Sequence, residues 1–336
     1  MKRKLNIISG LCLILTGFLF QSCIHEYPHV IKGPIPDKGE NPTTVYASVD
    51  ISFDLSWEEI LHYLEGETKS TRARTERPHR FIIEILKNAE IEYHSIINLT
   101  PEEFGIGRFN HTISMPLETT SHEIAVWYDF QDEEGNYHFD ADELNRVCLT
   151  DFSTTNVDTK QCAYASDILD LSQYSDTKEA GIVKELRLQH AGARFRIVAT
   201  DIQQFILNQK EALNQGDKFT VFLTFSGGIH EAFNLYSGEV IGGGNQEMSG
   251  WMRLPFDDYD ELKIAEGFVF CPGENDLTAT LSVKNSSLVT ILQTEPFSFP
   301  IKQGYVTTIY GAFLSNPIDG IFSINNIWEG EIIIEI

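Results

Sequence analysis

From Thr44 the chain alternates with a period of two. In "TVYASVDISFDLSW" the residues Val45, Ala47, Val49, Ile51, Phe53 and Leu55 fall on one face, and Thr44, Tyr46, Ser48, Asp50, Ser52 and Asp54 on the other. That pattern predicts a half-buried strand. "RFIIEILK" (80–87) and "HEIAVWYDF" (122–130) are further strands, rich in β-branched and aromatic residues. "QDEEGNYHF" adds a Gly-Asn turn, so 122–140 reads as a hairpin. "SWEEILHYLEGE" (56–67) breaks the period: Ser56 caps a short helix with Ile60, Leu61 and Leu64 on its apolar face.

The pattern restarts in the second half. "ELRLQHAGARFRIVATD" (185–201) predicts one long strand bent at Gly192. A helix follows over 201–213, with Asp201 as N-cap and Ile202, Phe205, Ile206 and Leu213 toward the core. Strands are expected at "KFTVFLTFSG", "EGFVFCPG", "LTATLSVK", "FSFPIKQG", "YVTTIYGAFL" and "IFSINNIWEGEIIIEI". Many short strands without βαβ alternation predict an all-β chain of antiparallel β-sandwich domains with one or two short helices. The least patterned stretch is 153–181, which puts a domain boundary near residue 180 and gives domains 44–180 and 181–336. The last segment, 321–336, is read as the closing strand of the second sandwich, with Trp328 in or beside the core. The competing reading lets part of it complete another subunit's sheet, but Glu329, Glu331 and Glu335 suit a dry groove poorly.

The N-terminus carries a different signal. Lys2, Arg3 and Lys4 precede the apolar run 5–20, which is shorter than the roughly 20 residues needed to span a bilayer. Residues 1–22 are read as a lipoprotein signal peptide. Ser22–Cys23 resembles the end of a bacterial lipobox, so Cys23 is expected to be the first mature residue and to carry the lipid, although Phe20 and Gln21 fit that pattern loosely. Residues 23–43, with four prolines and two glycines from His25 onward, read as a tether.

The chain has 25 Lys and Arg against 49 Asp and Glu, a net charge of −24. Removing the signal peptide takes away only cations. This balance excludes a nucleic-acid partner and a polybasic membrane contact. Beyond Cys12 and Cys23 only Cys148, Cys162 and Cys271 remain, an odd set that does not form a disulfide framework. A Cys148–Cys162 bridge and three buried thiols are the two readings, the second preferred.

No phosphate loop, nucleophile elbow or zinc-protease motif occurs, and no cofactor, metal or catalytic residue is expected. An EF-hand loop with Gly135 at its sixth place would begin on Phe130, which cannot bind calcium. Asp140 and Asp142 are left as a looser cation site, with a solvated turn the preferred reading. In "STRARTERPHR" (70–80), Arg72, Arg74, Arg77 and Arg80 stand close together in an otherwise acidic chain. They read as a solvated loop, a contact patch for an acidic neighbour, or a site for an arginine-specific protease. Trp127, Tyr128, Trp251 and Trp328 are the aromatics from which a carbohydrate platform could be built, and each also fits a core.

"HRFIIEIL", "HEIAVWYDFQDEEGNYHFDADELNRVCL", "GARFRIVATDIQQF" and "GYVTTIYGAFLS…IFSINNIWEGE" together resemble the fimbrillin-type lipoproteins of Bacteroidales, the family that includes fimbrial anchoring subunits. The resemblance implies two transthyretin-like sandwiches, attachment to the outer membrane facing the cell surface, and fimbrial subunits as partners. It also implies that polymerising members lose their first strand to an arginine-specific protease and accept a neighbour's strand, whereas anchors keep it. Here the arginines follow the first strand, which favours an anchor or assembly subunit. The alternative is a surface lipoprotein that binds carbohydrate or a host protein and is not built into fimbriae.

Overall fold

The computed structural model describes residues 44–54, 77–100, 103, 108–132, 134–153, 160–252, 261–315, 323–326 and 331–335. The segments read as signal peptide and tether, Cys23, the helix expected at 56–67, Arg72, Arg74 and Trp328 lie outside the described residues.

The first ten strands are β1 (Thr44–Asp54), β2 (His79–Lys87), β3 (Glu90–Leu99), β4 (Arg108–Glu118), β5 (Ser121–Phe130), β6 (Phe139–Asp140), β7 (Val147–Leu149), β8 (Cys162–Asp170), β9 (Glu179–Arg187) and β10 (Gln189–His190). After β11 (Gly192–Ala199) come two helices, α1 (Ile202–Asn208) and α2 (Lys210–Asn214). The rest is β12 (Thr220–Ile229), β13 (Ala232–Asn234), β14 (Glu239–Ile241), β15 (Gly244–Trp251), β16 (Leu262–Phe270), β17 (Glu274–Lys284), β18 (Thr290–Gln293), β19 (Phe297–Lys302), β20 (Val306–Gly311), β21 (Ser323–Asn326) and β22 (Glu331–Glu335).

Two sheets, β4-β1-β9 and β10-β8-β5-β2-β3, enclose a first core that includes Val45, Val49, Phe81, Ile83, Val126 and Tyr128. Two more, β16-β11-β20-β22-β21 and β15-β12-β17-β18 with β19 on β17, enclose a second core around Phe195, Phe225, Leu281 and Phe299. The expected pair of β-sandwiches is what the chain forms. Most pairings are antiparallel, but β1–β9, β11–β20 and β20–β22 are parallel.

A fifth sheet joins the halves. Its order is β14-β13-β7-β6, two strands from each half of the chain. It covers a third core of Ile82, Trp127, Phe139, Val147, Tyr164, Phe233, Phe268 and Phe270. The rings meet edge to face, as their quadrupoles favour: Trp127–Phe139 at 5.4 Å and Phe139–Phe268 at 5.4 Å. This explains why β2 and β5 are apolar on both faces. Phe81, Ile83 and Ile85 point into the first core, while Ile82 and Leu86 point into the third.

Several expectations are corrected. Residues 122–140 are not a hairpin: the turn at Gly135 exists (φ 83°), but β5 pairs with β2 and β8, and β6 pairs with β7. Residues 185–201 are not one strand. They hold the end of β9, all of β10, and β11, in three different sheets. The unpatterned stretch 153–181 contains β8, an inner strand whose period is obscured because its first four residues are all buried and Ser166, Asp167 and Ile168 are all exposed. Since β9 and β10 still pair within the first sandwich, we place the passage between sandwiches at 188–192 and not near 180. Gly192 is needed there, because a Cβ on it would lie 2.2 Å from the Val269 carbonyl oxygen. The C-terminal segment is two strands, with β22 inserted parallel to β20 and β21 on the edge.

The helix at 201–213 forms as α1 and α2, burying Ile202 and Phe205. Asp201 precedes it but makes no side-chain cap. Its carboxylate instead accepts from Leu314 N at 2.9 Å and Ser315 Oγ at 2.6 Å. Asp201→Ala is therefore expected to destabilise by about 1–3 kcal/mol, by stranding the Leu314 N–H. A fall in the urea midpoint at unchanged slope would register it; an unchanged midpoint would remove this tie from the account.

Candidate functional site

The first strand is the centre of its sheet. β1 runs antiparallel to β4 over Thr44–Asp54 and parallel to β9 over Tyr46–Asp54, so its backbone is bonded on both edges. β4 and β9 have no pairing with each other. Val45, Ala47, Val49 and Ile51 are at most 1% exposed, which at about 1.5–3 kcal/mol for each larger side chain makes β1 a major contributor to the first core. Its outward residues are tied as well: Thr112 Oγ1 on β4 donates to Asp50 Oδ1 at 2.6 Å. The groove between β4 and β9 is thus filled by the chain's own strand. On β4, Pro116 interrupts the donors of that edge strand, a common guard against edge pairing.

The arginine stretch is divided by the fold. Arg77 is buried, at 8% exposure, and Arg80 lies on β2 and not on a loop. Arg80 Nε donates to Asp129 Oδ1 at 2.8 Å, and its Nη2 bonds both Asp129 Oδ2 and the Phe139 carbonyl oxygen, the latter at 3.0 Å. The guanidinium also stacks 3.8 Å over the Tyr137 ring. Asp129 is 1% exposed and takes a third bond, from Trp127 Nε1 at 3.1 Å. Burial pushes the Asp129 carboxyl up, against the pull of Arg80 and Trp127. Arg80 is therefore a structural cation that ties β2 and β5 to the joining sheet. The low exposure of Arg80 and Arg77 argues against their part in a cationic contact patch.

A second charge cluster lies on the other sandwich. Glu266, 4% exposed, accepts from Arg194 Nη2 at 2.6 Å, Arg196 Nη2 at 3.2 Å and Lys263 Nζ at 2.8 Å. Burial opposes its charge, but the three cations outweigh that and hold its carboxyl at about 2. Across the junction, the Tyr236 hydroxyl donates to Glu84 Oε2, and His94 Nδ1 lies 2.8 Å from Glu84 Oε1. Asp129, Glu84 and Glu266 were not singled out from sequence. The available signal was a carboxylate inside an apolar run, as in "IAVWYDF" and "RFIIEIL".

Trp127 and Tyr128 are 0% and 2% exposed, so both are core and neither can form a carbohydrate platform. Cys148, Cys162 and Cys271 are free thiols; Cys148 is half-buried and the other two buried. Asp140 Oδ1 accepts from the Asp142 backbone N–H at 3.4 Å, closing a local turn. No cluster of three or more His, Cys, Asp or Glu suited to a metal ion occurs among the described residues.

No curated protein matches the chain in sequence. Among solved structures it is similar to the fimbrial anchor protein Mfa2 from Porphyromonas gingivalis, at 12% identity and TM-score 0.40, covering 74% of this chain and 81% of that one. It is also similar to a candidate adhesin from Bacteroides ovatus (9% identity, TM-score 0.41, 80% of each chain). A third is a fimbrial assembly protein from Parabacteroides distasonis (12% identity, TM-score 0.33, 84% of this chain and 95% of that one). The model of a family of unknown function, DUF6562, matches residues 42–336, and the chain belongs to that family.

Proposed function

We propose that this protein is a lipid-anchored component of the outer membrane that serves as an anchor or assembly subunit of a fimbria. The observation that carries the reading is the position of β1. The strand that follows the tether is the middle strand of a core, bonded on both sides. A pull on Cys23 would enter the fold through that strand. A first sheet completed by its own strand offers no vacant groove to a neighbour, which suits a subunit that ends a polymer. Fimbrial subunits would then be met through other surfaces. The reading assigns no catalytic turnover, cofactor or nucleic acid. The carbohydrate-binding alternative is weakened by the burial of Trp127 and Tyr128.

Cys23→Ala tests the anchor. The variant is expected to leave the membrane fraction or to accumulate as precursor, and normal maturation with unchanged membrane retention would refute the anchor. Capture of fimbrial protein by the purified chain, without signal on a glycan array, is the result expected for an assembly role. The reverse pattern would select the carbohydrate-binding reading.

A further inference from the structure

A small pocket opens where the chain passes between the sandwiches. Its walls include Lys160, Gln161, His190, Arg194 and Tyr305, and no carboxylate lines it. Lys160, 1% exposed, is held by the Ser153 carbonyl oxygen at 2.8 Å and by Asp151 at 3.1 Å. Arg194 is held by Glu266, which Arg196 and Lys263 share. The two clusters together set four cations against two carboxylates; Lys160 and Arg194 line the pocket, and Arg196 and Lys263 are linked to it only through Glu266. Arg77 and Asp132, the next charges out through His138, leave that surplus unchanged. A local positive excess is unusual in a chain with 49 acids and 25 Lys and Arg.

Gln161 adds an independent observation. It is 6% exposed, and neither Nε2 nor Oε1 of its side chain has a hydrogen-bond partner. A buried amide left so costs about 1–3 kcal/mol per group, and such groups are ordinarily met by a bound water or ligand. The cavity measures about 30 Å³, roughly the room that two or three waters need. That admits one carboxylate or sulfate group and excludes a sugar ring.

We propose that this junction pocket binds a small oxyanion, a carboxylate or sulfate group, with Gln161 Nε2 donating to it and the Lys160 and Arg194 charges holding it. The water such an ion carries would meet Gln161 Oε1. The ion would brace the passage at 188–192. It could arrive free or as the acidic group of a sugar whose ring stays outside.

Calorimetric titration of the full mature chain with sodium sulfate, sodium acetate and sodium glucuronate, at ionic strength matched with chloride, tests this. One saturable site is expected, with binding about tenfold or more weaker in Gln161→Leu, since a bond to a charged group is lost. Tightest binding of glucuronate would identify a carried group, and tightest binding of sulfate or acetate a free ion. Amide shifts of Gly192 and Gly304 in the unmodified chain locate the site even if the variant does not fold. No saturable binding, equal binding by Gln161→Leu, or shifts confined to other residues would overturn the proposal and leave the pocket to water.

Discussion

Arg80→Ala is expected to lower stability by about 3–5 kcal/mol, the cost of leaving a buried carboxylate without its cation. Asp129 would keep only the Trp127 bond, and the Phe139 carbonyl would lose its donor. The effect should exceed that of any exposed arginine, because surface pairs contribute about 0–1 kcal/mol. Adding Asp129→Asn to the Arg80 variant should recover part of the loss, since the stranded charge is then gone. Urea unfolding of the single and double variants measures both terms. A single-variant loss below about 1 kcal/mol would show that the pair is solvated and that Arg80 is free to serve as the surface contact considered for the arginine stretch.

Glu266 should make the second sandwich sensitive to acid. Its carboxyl is held at about 2 against an ordinary 4.5. A group held down in the folded state contributes stability that is fully present above its unfolded value, here about 4.5. That contribution is lost as the pH falls from there through about 2. At roughly 1.4 kcal/mol per pH unit the contribution is about 3 kcal/mol. Glu266→Gln is therefore expected to lose about that much at pH 7 and to flatten the stability profile between pH 5 and pH 2. If the variant and the parent show the same acid profile, the four-residue cluster does not hold its charges in solution. The same titration bears on the junction pocket, because Arg194 belongs to both.

Where one face is buried and the other wet, the residues themselves determined the structure. The alternation of β1 predicted its inward set, Val45, Ala47, Val49 and Ile51, and the helix at 201–213 was visible in its spacing. The all-β class and the two sandwiches followed from many such segments. The acidic balance was equally legible, as was the apolar N-terminal run from which a lipid on Cys23 is expected.

Tertiary structure decided the rest. A strand apolar on both faces, such as β2 or β5, says that it is covered twice but not by what; here the second cover is a sheet drawn from both halves of the chain. Period two cannot distinguish a parallel from an antiparallel neighbour, so β1–β9 and β20–β22 were not foreseeable. Across 185–201 the period of two persists but its phase shifts, from Leu186 and Leu188 to Ala191, Ala193, Phe195 and Ile197, and a reading as one bent strand passed over that shift, where the chain changes sheet. The roles of Asp129 and Gln161 depend on what faces them. Arg80 lies 49 residues from Asp129 in the chain, and Gln161 faces a cavity built by segments near residues 190 and 304. Local pattern reports how much of a side chain must be buried. Only the assembled fold supplies the atoms that it is buried against.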